Sequence, residues 1–435
     1  MDQNVKSQAN VIFRQLYKGL IFLFFAGLQI DFRFLVGFST IGMLVIALSY
    51  YRLNTGRWWN KSFLNLFTMG CFLYFTIQTI AFLFTRNIES GMFIFQTNLG
   101  LIALPVGIFY SDLVNRENWG SLMKSYTLIL LFTTTIAFGH AFYLYFQTGS
   151  ADVFFYHPLV SIYSGHAIQF SILVFIGILF LIEEFNRLTY LKSRKWIIIL
   201  LIYFSIFLFL LTSKLIITMY FLYIIYLAMF TKKLSANRSY RFMAMATIVT
   251  ILVLFMFTNS PLRRRMMDDV EGNFALIKQD RFKPGDYFNG VQFRLISWRF
   301  VYEILNENHR WLLGVSPGDA RDLLDKKYRE LNMYTGDSTG KSKGYLIYHT
   351  HNQFLQALLE TGLPGLAAFI FICAGMIQLA ANSGDRSLIV LTILLLCYCF
   401  SDAVLKTQYG IILFIFFPLF LYKSCQNPES KNQWS

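Results

Sequence analysis

Residues 348–369, YHTHNQFLQALLETGLPGLAAF, put His349, His351 and Asn352 at the mouth of a long apolar helix. Imidazole is the side chain whose ordinary pKa lies near neutrality, so a histidine here can serve as a general base. Two plainer roles compete with that one: capping the helix, or contributing to a metal site through the His-x-His spacing. A zinc site wants three or four ligands, and His309 and the neighbouring carboxylates stand at no recognisable spacing from the pair, so no metal is expected. If the helix starts near residue 351, Glu360 falls roughly half a turn away from His351. It is then a poor orienting partner, unless Gly362-Leu363-Pro364-Gly365 bends the helix. A second set of residues lies upstream in VQFRLISWRFVYEILNE, residues 291–307. Phe293, Ile296, Phe300 and Ile304 recur at helical spacing, with Arg294 and Trp298 on an adjoining face.

The elements that must hold these residues are membrane helices. The 435-residue chain is 56% hydrophobic, 18% aromatic and 14% charged, against about a quarter charged in soluble domains. Apolar runs long enough to cross a bilayer recur along almost its whole length, and a backbone in lipid must satisfy its own hydrogen bonds, so they are read as helices. Twelve spans are expected, at about 17–30, 34–50, 62–84, 92–110, 122–146, 159–182, 196–212, 215–230, 242–259, 352–381, 387–403 and 409–422. With the N-terminus inside, the even connections carry the bases Arg52, Arg57, Lys61, Arg116 and Lys124, then clusters around Arg187–Lys195 and Lys232–Arg241. The short outer connections around Asp31, Glu89 and Asp152 are poor in base, as the positive-inside rule requires. The expected fold is thus an all-α polytopic membrane protein with both termini cytoplasmic. Its organisation is helices 1–9 over 1–259, one large outer (periplasmic) loop over 260–350, helices 10–12 over 351–423, and a cytoplasmic tail over 424–435.

That loop holds fifteen Lys/Arg against twelve Asp/Glu, an excess of base on the side where topology disfavours it. A second loop helix is expected over 319–331, followed by a flexible TGDSTGKSKG stretch. The net charge of +14 is otherwise placed in cytoplasmic loops, where topology and anionic lipid account for it, and nucleic acid is not an expected partner. Five cysteines fall in spans or the tail, with no disulfide framework and no metal spacing.

HTHNQFLQALLETGLPGLAAF resembles the signature of the O-antigen ligase family, which also includes O-antigen polymerases. Upstream, FRLISWRFVYEILNENHRWLLGVSPG is similar to that family's Arg-x-x-x-Trp helix and following Leu-Leu-Gly turn. LTSK at 211–214 sits where the family usually has Thr-x-Ser-Arg, and HPLVSIY from residue 157 resembles the start of an earlier span in some members. The resemblance is specific over 291–369 and topological elsewhere. It implies a membrane glycosyltransferase acting on a glycan carried by undecaprenyl pyrophosphate, on the outer face of a bacterial inner membrane, with a lipid A-core-type acceptor and no cofactor.

Such chemistry needs cations for the pyrophosphate and a base for the acceptor hydroxyl. Arg294, Lys214 and Arg265 are the expected pyrophosphate contacts, with Lys214 departing from the family's arginine and losing its bidentate fork. His351 is the expected base, kept neutral by the cations near it, with His349, Asn352 and Trp298 in support. No Asp-x-Asp stands on the outer side, which favours a metal-independent mechanism. A polymerase using the same donor is the alternative, and a transporter without covalent chemistry is another. The latter would want ionisable groups in mid-span, where only His140 and His166 stand out.

Overall fold

The structure is a computed structural model, describing residues 3–111, 114–163, 166–187, 191–230, 263–264, 267, 274–283, 285–337 and 342–425. Every regular element among them is helical. The long helices are α1 (Gln3–Gln29), α2 (Arg33–Thr55), α3 (Leu66–Phe82), α4 (Ile88–Asn98), α5 (Gly100–Phe109), α6 (Arg116–Thr148), α7 (Ala167–Arg187), α8 (Leu191–Leu210) and α9 (Lys214–Phe230). They continue with α10 (Gly290–Glu307), α11 (Ala320–Glu330), α12 (Gln353–Ser383), α13 (Arg386–Ser401) and the segment α14 (Gln408–Cys425). Among the described residues seven helical segments are long and apolar enough to cross a membrane, α4 and α5 together forming one of them. Three shorter apolar helices, led by α3 and α13, accompany them. The ninth expected span, 242–259, lies outside the described residues, as do Arg265 and part of the TGDSTGKSKG stretch.

The chain forms two compact units. One comprises residues 18–39 and 117–268 and holds α6 to α9. At its centre α7 buries an unbroken run from Phe170 to Leu181, and the Tyr126 hydroxyl donates to the Leu173 carbonyl at 2.6 Å. A helix buried on every side reads as uniformly apolar, and this one does.

The other unit comprises residues 1–17, 40–116 and 269–435 and contains α3 to α5 and α10 to α14. Its spine is the pairing of α3 with α12. At Gly375 a Cβ would collide with the backbone nitrogen of Phe67, so the missing side chain is what lets the two backbones approach. A small core is built beside the N-terminal part of α12 from Phe293, Ile296, Phe300 and Ile304 of α10, Leu324 and Tyr328 of α11, and Leu359 of α12. The four apolar positions expected for α10 are therefore its buried face. Its start is fixed by Asn289, whose side chain accepts from Val291 N and Gln292 N while Gln292 reaches back to Asn289 N, a reciprocal capping box.

The bend expected at Gly362-Leu-Pro-Gly is present. Gly362 has φ 66° and ψ −159°, a conformation open in practice only to glycine. Pro364 has no N–H to offer the carbonyl of Glu360, and Leu363 N turns away from Leu359 to donate to Trp311 O at 3.0 Å. The two freed carbonyls are taken up by the 310–316 turn: Val315 N donates to Leu359 O at 2.8 Å and Ser316 N to Glu360 O at 3.0 Å. The break in α12 is thus the socket in which the loop is seated.

Candidate active site

The helix α12 begins two residues after His351. Asn352 is its cap, accepting from Phe354 N at 2.9 Å and Leu355 N at 3.1 Å, so the capping role considered for His351 belongs to its neighbour. His351 itself has φ 48°, a left-handed conformation that turns the chain sharply ahead of the helix. The segment is held from both sides. The Trp298 indole donates to Thr350 O at 3.1 Å, and the Thr350 hydroxyl donates to Gln356 Oε1 at 2.9 Å.

Both imidazoles converge on Asp402, the residue that follows α13. His351 Nδ1 and His349 Nε2 each lie 3.6 Å from its Oδ1. Asp402 Oδ1 also accepts from Ala403 N at 2.9 Å, and Oδ2 accepts from the Tyr398 hydroxyl at 2.7 Å. A carboxylate facing Nδ1 favours the tautomer protonated there and leaves the Nε2 lone pair of His351 available to take a proton. The carboxylate is partly buried, which alone would raise its pKa. The His351 and His349 rings beside it, with the Tyr398 hydroxyl, outweigh burial and hold it well below the usual carboxylate range. His349 moves the other way for an imidazole: burial pushes it down to about 4, against the attraction of Asp402.

The two histidines and Asp402 offer ligand atoms within 4.8 Å of one another, as a metal site would. The hydrogen-bond polarity fits poorly. His351 N donates to His349 Nδ1 at 3.3 Å, which leaves the proton of neutral His349 on Nε2, the atom that faces Asp402. A metal-bound imidazole shows the reverse, with its outer nitrogen donating to a carbonyl or carboxylate.

Arg294 stands beside this group. Its Nε donates to Ser401 O at 3.1 Å, one residue before Asp402, and its Nη1 to Gly290 O at 3.1 Å. The remaining Nη2 has no protein partner among the described residues. The structure therefore brings Arg294, Trp298, His349, His351 and Asn352 into one neighbourhood. Lys214 belongs to the other compact unit, as the first residue of α9 after a turn in which Thr212 has φ 49°. Arg265 lies outside the described residues; of its neighbours, Arg264 faces Asp152 at 3.9 Å.

Beneath the site, Glu360 is almost completely buried and does not touch His351, as its place on the helix implied. Its Oε1 accepts from Lys406 Nζ at 2.5 Å and Gln356 Nε2 at 2.7 Å, and its Oε2 from Gln78 Nε2 at 3.0 Å. Gln353 adds a further tie, accepting from Leu405 N at 2.7 Å. One buried carboxylate is thus linked through Gln356 to Thr350 and through Lys406 to the turn that follows Asp402. Asp402 and Lys406 were missed in reading the sequence. Their signal was present in FSDAVLK, an acid and a base closing one apolar span just before the next.

These features define a helical membrane protein with an Asp-supported imidazole pair and an adjacent arginine, an arrangement equipped for acid–base group transfer. Residues 197–370 match the family model described as O-antigen ligase, the family whose motifs the sequence resembles. The resemblance of its motifs is borne out, and with it the coarse activity, that of a membrane glycosyltransferase family of the ligase and polymerase type. A comparison with curated proteins gives no match.

Proposed function

We propose that the protein transfers a glycan from polyprenyl pyrophosphate to a hydroxyl of a lipid-anchored acceptor, as an O-antigen ligase does, on the outer face of a bacterial inner membrane. The observation that carries this reading is the His351–Asp402 contact beside Arg294. The acceptor oxygen attacks the anomeric carbon while its proton passes to His351 Nε2. The bond from that carbon to the pyrophosphate oxygen breaks, and polyprenyl pyrophosphate leaves as an anion. Arg294 is suited to stabilise the charge that develops on the leaving group, because a guanidinium presents several donors in a fixed plane. Lys214 is a second cation assigned to the pyrophosphate, by the place of LTSK in the family pattern. Asp402 holds the imidazole in its tautomer and offsets the positive charge the ring acquires, a role that leaves the carboxylate itself unprotonated.

The test is complementation of a bacterium lacking the gene, followed by electrophoresis of its surface glycolipid. Loss of long chains from the acceptor, with long chains accumulating on the carrier, is the expected result. Loss of long chains with a single repeat still attached would identify a polymerase instead. His351→Ala and Asp402→Asn should both fail to complement while reaching the membrane at the native level. Normal glycan on His351→Ala would overturn the assignment of the base.

A further inference from the structure

A groove of about 730 Å³ opens between the C-terminal end of α3 and the 310–316 turn, a size in the range of ligand pockets. None of the residues of the imidazole group lines it. On α12 it reaches Thr361 and Pro364, with Thr361 about 15 Å further along the chain axis than His351 at the helical rise per residue. The groove's lining is part apolar and part charged. Ile77, Ile80, Leu313 and Pro364 make its apolar wall, with Leu313 and Ile80 exposed by 64% and 53%. Arg86, Arg310, Asp319 and Asp322 also line it.

These charges are not equally available. Both oxygens of Asp319 accept backbone N–H groups, from Arg86 at 3.0 and 3.1 Å and from Asn87 at 2.8 Å. Asp322 accepts from the Asn87 side chain at 2.8 Å. Each carboxylate therefore serves to fasten the α3–α4 turn to α11. The guanidinium groups of Arg86 and Arg310 have no carboxylate partner and no hydrogen bond among the described residues, and both side chains are exposed. Two unpaired, exposed planar cations lining a groove that also has an apolar wall are complementary to a phosphodiester that carries an alkyl chain.

We propose that this groove holds one anionic glycerophospholipid, with its phosphate between Arg86 and Arg310 and one acyl chain along Ile77, Ile80 and Pro364. The bound lipid fills the space under the 310–316 turn, the same turn that satisfies the broken backbone of α12. The site is independent of the glycosyl-transfer reading, because none of its residues takes part in that chemistry.

The experiment uses the full chain in nanodiscs with phosphatidylglycerol bearing a photoreactive acyl chain, and the phosphatidylcholine analogue as control. Crosslinks are expected on the peptides that contain residues 77–86 and 311–316. At the usual electrostatic worth of a basic side chain near anionic lipid, each of Arg86→Gln and Arg310→Gln should weaken phosphatidylglycerol labelling about fivefold, and the pair roughly 25-fold. Phosphatidylcholine labelling should not change. Ala81→Trp, which fills the apolar channel and leaves both arginines, should also abolish the groove crosslinks. Equal labelling of native and double-variant protein, or equal labelling by the two lipids, would overturn the proposal. So would loss of the crosslink on addition of excess inorganic phosphate, which would assign the arginines to a free anion.

Discussion

Removing Lys406 isolates a buried charge. Glu360 has 2% of its side chain exposed and Lys406 16%, and their atoms meet at 2.5 Å. In Lys406→Met the carboxylate keeps only two neutral donors, Gln356 and Gln78. Breaking a buried ion pair by deleting one partner costs about 3–5 kcal/mol, because the remaining charge stays desolvated. Glu360→Gln should cost less, since the lysine left behind is the more exposed partner and the new amide can still accept from Gln356. The double variant removes both charges and should recover most of the loss suffered by Lys406→Met. Unfolding in detergent can be followed through thiol labelling of Cys71, Cys373 and Cys399, all of them buried.

The same variants separate stability from function. Glu360 reaches Thr350 through Gln356, and Lys406 is on the turn that follows Asp402, so the network sets the spacing between the imidazoles and their carboxylate. A displacement of about 1 Å at a catalytic group costs about a hundredfold in rate. The double variant should therefore be stable and remain slow in glycan transfer. A double variant no more stable than Lys406→Met would refute the coupling. A Lys406→Met protein with native stability and native transfer would refute the whole account of the network.

Three further outcomes follow from single contacts. Gly362→Ala forces a side chain into a backbone region reserved for glycine and against the Leu312 carbonyl; strain alone should cost about 1–3 kcal/mol, read as a lowered unfolding midpoint with the 310–316 turn more open to protease. Trp298→Phe keeps the ring's packing but orphans Thr350 O, a loss of about 1–3 kcal/mol, and should reduce transfer more than it reduces the amount of protein in the membrane. Acid should destabilise the fold through His349. Its pKa is lowered to about 4 from 6.5, so the unfolded chain binds the proton first, and the stability this group contributes above pH 6.5 is lost as pH falls towards 4. Asp402, lowered as well, adds to the loss further into acid, below the ordinary carboxylate range; unfolding midpoints in detergent that stay level from pH 7 to about 4 would contradict the His349 prediction.

What the sequence disclosed and what it concealed divide along a physical line. The helical period placed Phe293, Ile296, Phe300 and Ile304 on one buried face because a local repeat is enough to define a face. The bend at Gly362 was equally legible, since a proline and flanking glycines act on their own backbone. Asp402 was not legible, because its meaning depends on a fold that returns the end of α13 to a histidine pair far upstream in the chain. Glu360 shows the point most clearly. Its position on α12 made it a poor orienting partner for His351, and it does not touch that residue. What no period or spacing could show is that a carboxylate turned away from the site can still govern it, because the groups it holds, Gln356 and Lys406, lead one to the histidines and the other to the turn beyond Asp402. The family match over residues 197–370 stops short of Asp402 and Lys406, so the carboxylate that faces both imidazoles is supplied by a part of the chain that only the three-dimensional packing connects to the rest.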